Sequence, residues 1–198
     1  MNSKFTSVAD LRNAITSKID PVYAAKMLQP IPDMPTVKDR KRYLVEKSRD
    51  KIVLDIGCTG PISKLIKQFA KKYYGIDKTS AENIEAVELD HRPDLMPKYE
   101  DVEVIICAET LEHLSNPGYF LLALKDKYPG KTIYITVPNA GSYQVTDDCE
   151  VINKEHVCWY SYSTIKSLLT RYDFNIIESR WYNGPEYKAE GLIMVCNG

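Results

Sequence analysis

The sequence predicts an α/β fold: seven strands in one mostly parallel sheet, an antiparallel last strand, and helices on both faces. Three observations lead there. Seven short apolar, β-branched-rich runs are spaced by helical periodicities or loops, and only the last two look joined as a hairpin. The run Lys51-Ile-Val-Leu-Asp-Ile-Gly-Cys-Thr-Gly-Pro61 reads as a buried strand, Ile52 to Ile56, entering a glycine-bearing turn. A helix and a strand ending in Asp77 follow at once. Strand, glycine turn, helix, strand and terminal carboxylate make half of a nucleotide-binding unit.

The chain divides by pattern into residues 1–36, a helical extension with a proline-rich linker, and residues 37–198, the main domain. In the extension, Val8, Leu11, Ile15 and Ile19 keep a helical stripe that Asp20-Pro21 breaks. Gln29-Pro-Ile-Pro-Asp-Met-Pro35 is extended. A helix from Val37 to Ser48 leads into the first strand. After the glycine turn, Ile62, Leu65, Ile66 and Phe69 form an apolar helical stripe opposite Lys64, Lys67, Lys71 and Lys72. Tyr73 to Asp77 is the second strand and Ala86 to Asp90 the third. Val102 to Cys107 is the fourth, with four β-branched residues in six. Asn116-Pro117 opens a helix to Lys127, and Thr132 to Val137 is the fifth strand. Residues 140–162 read as a loop. Ser163 caps a helix to Arg171. Asp173 to Glu178 and Gly191 to Cys196 are the final strands, joined by a hairpin loop containing Asn183-Gly-Pro185.

Composition bounds the function. The chain has 198 residues, 44% hydrophobic and 27% charged, which suffices for one core without covalent staples. Its five cysteines form no C-x-x-C pair and no zinc spacing, which points to reduced thiols and a cytoplasmic protein. The N-terminus has no apolar signal core, and no apolar run reaches membrane-spanning length. Net charge is −1, but residues 1–72 hold 15 Lys+Arg against 7 Asp+Glu, and the balance reverses over the rest. Lys38-Asp-Arg-Lys-Arg42 leads the basic part. It reads as a solvated helix face, with a nucleic-acid face as the alternative, and the overall charge counts against a nucleic-acid partner.

A dinucleotide pyrophosphate asks for G-x-G-x-x-G, whereas only Gly57 and Gly60 are present and Asp55 stands nearby. That disfavours a phosphate ligand, leaves a nicotinamide-dependent dehydrogenase a distant reading, and suits a neutral or cationic nucleoside. Val53-Leu-Asp-Ile-Gly-Cys58 resembles motif I of class I S-adenosylmethionine (SAM)-dependent methyltransferases, and Gly75-Ile-Asp77 resembles motif II. Thr59 and Pro61 replace glycines of that pattern. Thr59 fits with a negative φ, and Pro61 as the first helical residue. Ala108-Glu-Thr-Leu-Glu-His-Leu-Ser-Asn-Pro117 is similar to the E-x-x-E-H-L-x-x-P of ubiquinone-pathway methyltransferases, and Pro138-Asn139 recurs in the family. The resemblance spans about Arg40 to Cys196. It implies a Rossmann-like sheet and SAM held by Asp55, Gly57, Cys58, Gly60, Asp77, Lys78, Asp90 and Ala108. Asp77 would take the ribose hydroxyls, Asp90 would lie near the adenine amine, and Cys58 would pack beside the cofactor.

Methyl transfer from a sulfonium to a hydroxyl needs a base or a metal to remove the proton. Glu109, Glu112 and His113 fall at i, i+3 and i+4, so one helical turn would project all three from one face. With His156 from the later loop they could hold a divalent ion such as magnesium. Alternatively, His113, with Glu112 and His156, does the acid–base work without metal, or the cluster is structural. Arg42 could pair with the methionine carboxylate or simply face solvent. Trp159, Tyr160 and Tyr162 could stack on an acceptor or pack in the core. The expected acceptor is a small molecule or carbohydrate. Terminal methylation of RNA, similar to small-RNA 2′-O-methyltransferases, and a non-catalytic methyltransferase-like partner protein are the alternatives.

Overall fold

The computed structural model describes residues 34–140, 155–183 and 189–198. Most of the N-terminal extension and Cys149 lie outside them. Met34–Gly198 is one compact unit. Among the described residues, eight strands form one sheet.

The centre is β2 (Ile52–Ile56), flanked in parallel by β3 (Lys72–Asp77) and β5 (Val104–Ala108). Then β6 (Thr132–Pro138) pairs in parallel with β5. β8 (Gly191–Asn197) runs antiparallel between β6 and β7 (Asn175–Tyr182). The edges are β1 (Thr36–Val37), parallel to β7, and β4 (Ile84–Ala86), parallel to β3.

Alternation along the strands divides the core. Val53, Val104 and Ile106 pack with Leu44 and Val45 of α1 (Arg40–Ser48) and Ile62 and Ile66 of α2 (Pro61–Phe69). Leu54, Ile56, Ile105 and Cys107 face the other way. They pack with Phe120, Leu121 and Leu124 of α3 (Pro117–Lys127) and Ile165 and Leu169 of α4 (Tyr162–Arg171). Both faces are covered, so the central strands read as near-continuous apolar runs.

Four sequence expectations change. The sheet has eight strands rather than seven, because Thr36–Val37 is a strand and not a helix start. The Asp39 side chain accepts from Arg42 N at 3.1 Å and caps α1, which fixes its first residue at Arg40. The third predicted strand forms two residues earlier. Asn83 adopts a left-handed φ of 62°, its carbonyl accepts from Gly75 N, and the chain after Ala86 leaves the sheet. Ser161, not Ser163, caps α4, in a reciprocal box with Thr164. Leu65 is 39% exposed, so α2 buries Ile62 and Ile66 rather than the full stripe.

No helix among the described residues is long and apolar enough to cross a membrane.

Candidate active site

Strand order reverses at β2: the chain proceeds outward through β3 and β4 on one side and through β5 and β6 on the other. At such a switch point the loops beyond the strand ends diverge and leave a crevice. Here it is a cleft of about 530 Å³ lined by residues following β2, β3 and β5.

The floor is a joint between the ends of β2 and β5. Gly57 has φ +74°, and a Cβ there would strike the Thr110 side chain. Thr110 is buried and donates to Ile56 O at 3.1 Å. Glycine at 57 is therefore required twice, by backbone handedness and by space. Gly60 differs. Its φ is −76° and a Cβ would meet nothing, so its task is to precede Pro61, the first residue of α2. Thr59 lines the cleft without a left-handed backbone.

Of the residues expected to hold a cofactor, Gly57, Asp77, Lys78 and Asp90 line this cleft. Asp77 ends β3 and is buried, and no described residue donates a hydrogen bond to its carboxylate. Asp90 accepts from Ser115 N and Oγ at 2.7 and 2.8 Å. These bonds outweigh its burial and hold its carboxyl below the usual range. Asp55, Cys58, Gly60 and Ala108 do not line the cleft. Strand alternation turns Asp55 to the α1–α2 face, where Tyr73 Oη donates to it at 3.0 Å. Burial pushes the Asp55 carboxyl up to about 6, against hydrogen bonds from Ser63 and Tyr73. Cys58 is buried against Gly75, and burial pushes its thiol up to about 12, so it packs rather than reacts.

The carboxylate–imidazole motif separates. Residues after β5 form a 3₁₀ turn, Leu111–His113, rather than an α-helical turn. Glu109 precedes it at φ +52°, so the three side chains do not share a face. Glu109 lines the cleft but is tied to Arg40 in an ion pair of 2.6 Å. The remaining three converge: Glu112, His113 and His156 bring ligand-capable atoms within 4.8 Å of one another. His113 opens this cluster to the cleft. Val157 N and Cys158 N both donate to Glu112 O, at 2.8 and 3.0 Å, which pins the segment carrying His156. Glu112 is only 1% exposed, and neither of its carboxylate oxygens has a hydrogen-bond partner among the described residues. Nδ1 of His156 is also without one. Burial, then the nearby Glu109 charge, pushes the Glu112 carboxyl up to about 8. Burial, then His113, lowers the His156 pKa.

Sequence reasoning missed Thr110, Arg40 and the apolar wall formed by Val87 and Leu89. Arg42 is exposed and pairs with Glu46 within α1, while Arg40 turns inward. Tyr160 is buried with its hydroxyl near Leu111 O, whereas Trp159 is 38% exposed and stands edge-on to His156. Tyr162, the first residue of α4, packs half-buried against the larger core.

The chain matches a methyltransferase-domain family over residues 31–179. No curated protein sequence matches it. Among solved structures, it is similar to a SAM-dependent methyltransferase from Archaeoglobus fulgidus. That pair has 15% identity and a TM-score of 0.62, covering 80% of this chain and 90% of the other. It is also similar to the 1,6-didemethyltoxoflavin-N1-methyltransferase of Burkholderia thailandensis, solved with its substrate and S-adenosylhomocysteine. There identity is 13% and the TM-score 0.59, over 100% of this chain and 92% of that one. The small RNA methyltransferase HEN1 gives 14% identity and a TM-score of 0.63, with 80% of this chain matching 24% of that protein. With the matching domain and a cleft at the switch point of the sheet, the chain belongs to the class I SAM-dependent methyltransferases.

Proposed function

We propose that the protein methylates oxygen on a small hydroxylated molecule or carbohydrate, with Glu112, His113 and His156 on the acceptor side of the cleft. The carrying observation is Glu112, a buried carboxylate with two orphaned oxygens, set against two imidazoles beside the cofactor cleft. A fold keeps so costly a group where a ligand or a proton transfer uses it.

The cofactor half follows from residue chemistry. Asp77 accepts the two ribose hydroxyls, and Val87 and Leu89 flank the base. Asp90 keeps one oxygen on Ser115 and turns its remaining capacity toward the adenine amine. Lys78 lies at the rim. Bound SAM supplies the electrophilic methyl group. Asp77, Glu88, Asp90, Glu109 and Glu155 give the cleft a surplus of carboxylates over Lys78, His91 and His113. That field favours a cationic sulfonium and a neutral or cationic acceptor.

On the acceptor side, the hydroxyl proton must leave as the oxygen attacks. His113, open to the cleft, takes it at Nε2; its Nδ1 lies 3.2 Å from the Glu155 carbonyl, which orients the ring, and His156 packs edge-on against it. The same three residues, two imidazoles and one carboxylate, would suit a first-row transition cation better than magnesium, which takes oxygen ligands, and unpartnered carboxylate oxygens are what such a cation would satisfy. When bound there, it lowers the pKa of a hydroxyl. Glu109, held by Arg40, is not part of that set.

Terminal methylation of RNA is the second reading, favoured by the basic segment Lys38 to Arg42 and the likeness to HEN1. The acidic cleft weighs against it, since RNA binding rests on phosphate neutralisation. Free thiols at Cys58, Cys107, Cys158 and Cys196 agree with a cytoplasmic enzyme.

Incubation with methyl-labelled SAM tests the proposal, using a panel of catechols, hydroxylated small molecules, glycans and RNA oligonucleotides, each with EDTA, magnesium or manganese. Label on a small-molecule or glycan oxygen, lost in His113→Ala, supports it. Transfer only to RNA, or to nitrogen or carbon, overturns it.

A further inference from the structure

Arg40 is the first residue of α1 and lies outside the cleft, yet its guanidinium reaches the cleft wall. Nη1 pairs with Glu109 Oε1 at 2.6 Å and lies 3.4 and 3.3 Å from Thr136 Oγ1 and Tyr182 Oη. The guanidinium also sits over the Tyr182 ring, 4.9 Å from its centroid. Thr136 Oγ1 and Tyr182 Oη each donate to the same Glu109 oxygen, at 2.8 and 3.1 Å. Thr136 in turn receives the Glu109 amide on both its carbonyl and its hydroxyl. The network closes on itself, with α1, β6 and β7 all gripping one residue.

That residue is in a costly conformation. Glu109 holds φ +52°, which an L-residue with a long side chain adopts only under constraint. Its successor is Thr110, whose hydroxyl fills the space left by the missing Cβ of Gly57 and donates to Ile56 O. Removing the guanidinium leaves a half-buried carboxylate with two neutral donors, and the backbone of Glu109 is freed to relax toward negative φ. Relaxation there rotates the Glu109–Thr110 peptide and withdraws Thr110 from Gly57.

We infer that Arg40 is a positioning residue: through Glu109 it holds the Thr110–Gly57 joint in shape and thereby sets cofactor affinity from outside the cleft.

Two readouts on the full chain test this, hydrogen–deuterium exchange of residues 107–113 and calorimetric titration with S-adenosylhomocysteine. Arg40→Ala should speed exchange at Glu109 and Thr110 while leaving α3 unchanged. It should also weaken S-adenosylhomocysteine roughly tenfold, the scale of one lost charge-assisted hydrogen bond. Arg40→Lys, which keeps the charge, should recover most of that loss. In a Glu109→Gln background, Arg40→Ala should change affinity by less than about twofold, because the two act through one contact. Unchanged exchange at Glu109 and Thr110 overturns the inference whatever the cofactor does. So does an Arg40→Ala loss that persists in full in the Glu109→Gln background. If Arg40→Ala fails to fold, Arg40→Lys against Arg40→Gln carries the comparison, and equal exchange and affinity in those two overturn it.

Discussion

Replacing Glu112 with glutamine should turn a pH-dependent weakness of the fold into a pH-independent one. Glu112 is 1% exposed and its carboxylate has no hydrogen-bond partner among the described residues, so the folded protein favours the neutral acid. Its pKa rises from the model-peptide 4.5 to about 8. A raised folded-state pKa means the native state binds more protons than the unfolded chain between those values. The stability contributed by the neutral acid is complete below about pH 4.5 and drains away as pH climbs through about 8. At about 1.4 kcal/mol per unit, the loss is about 3 kcal/mol by pH 7 and about 5 kcal/mol above pH 8. Glutamine does not ionise. Urea unfolding of wild type and Glu112→Gln, measured without divalent cations at pH 5, 6, 7 and 8, isolates the effect. Any fixed cost of burying the amide is the same at every pH. The stability difference should therefore move in favour of the variant by about 1.4 kcal/mol per unit between pH 5 and 7, and by less between pH 7 and 8 as the folded pKa is reached. Parallel curves would refute the reasoning and would mean that water or a neighbouring donor solvates the carboxylate.

Asp77→Ala should weaken S-adenosylhomocysteine by roughly 10- to 100-fold in calorimetry, the loss of hydrogen bonds to a charged acceptor, with little change in melting temperature. Gly57→Ala must accommodate both a positive φ and the Thr110 side chain, so urea unfolding should show a loss of about 2–4 kcal/mol. Asp55→Asn should gain about 3 kcal/mol over wild type at pH 8 and little at pH 4, because its folded pKa of about 6 is likewise raised and its stabilisation drains as pH rises. Magnesium or manganese, if held by Glu112, His113 and His156, should release protons on binding at pH 7, seen as a buffer-dependent calorimetric enthalpy that disappears in Glu112→Gln.

Much of the fold was legible because burial on both faces leaves a one-dimensional mark. Ile52 to Ile56 and Thr132 to Val137 carry apolar and β-branched residues that mean strand wherever they sit in a parallel sheet, and both form as read. The carboxylate that ends β3 was equally visible, since Asp77 closes the short run Tyr73 to Asp77 and is the last residue of the strand. The turn after β2 was read correctly at Pro61, whose missing N–H costs nothing at the first helical position.

The rest depended on contacts between distant residues. Glu109, Glu112 and His113 have helical spacing, but an i, i+3, i+4 pattern assigns them one face only if the backbone is helical. A left-handed Glu109 breaks that premise, and it is held there by Arg40, Thr136 and Tyr182 from three other elements. Asp55 illustrates the same limit. Its motif is local, but period-2 alternation points it toward Tyr73 and α2, away from the cleft. By itself, the sequence determined the central strands, the helices packed on them and the carboxylate that ends β3, because those follow from local propensity and periodicity. Only the tertiary structure decided which carboxylates meet the imidazoles and which are claimed by an arginine, because that pairing is fixed by the packing of α1, β6 and β7 around the end of β5.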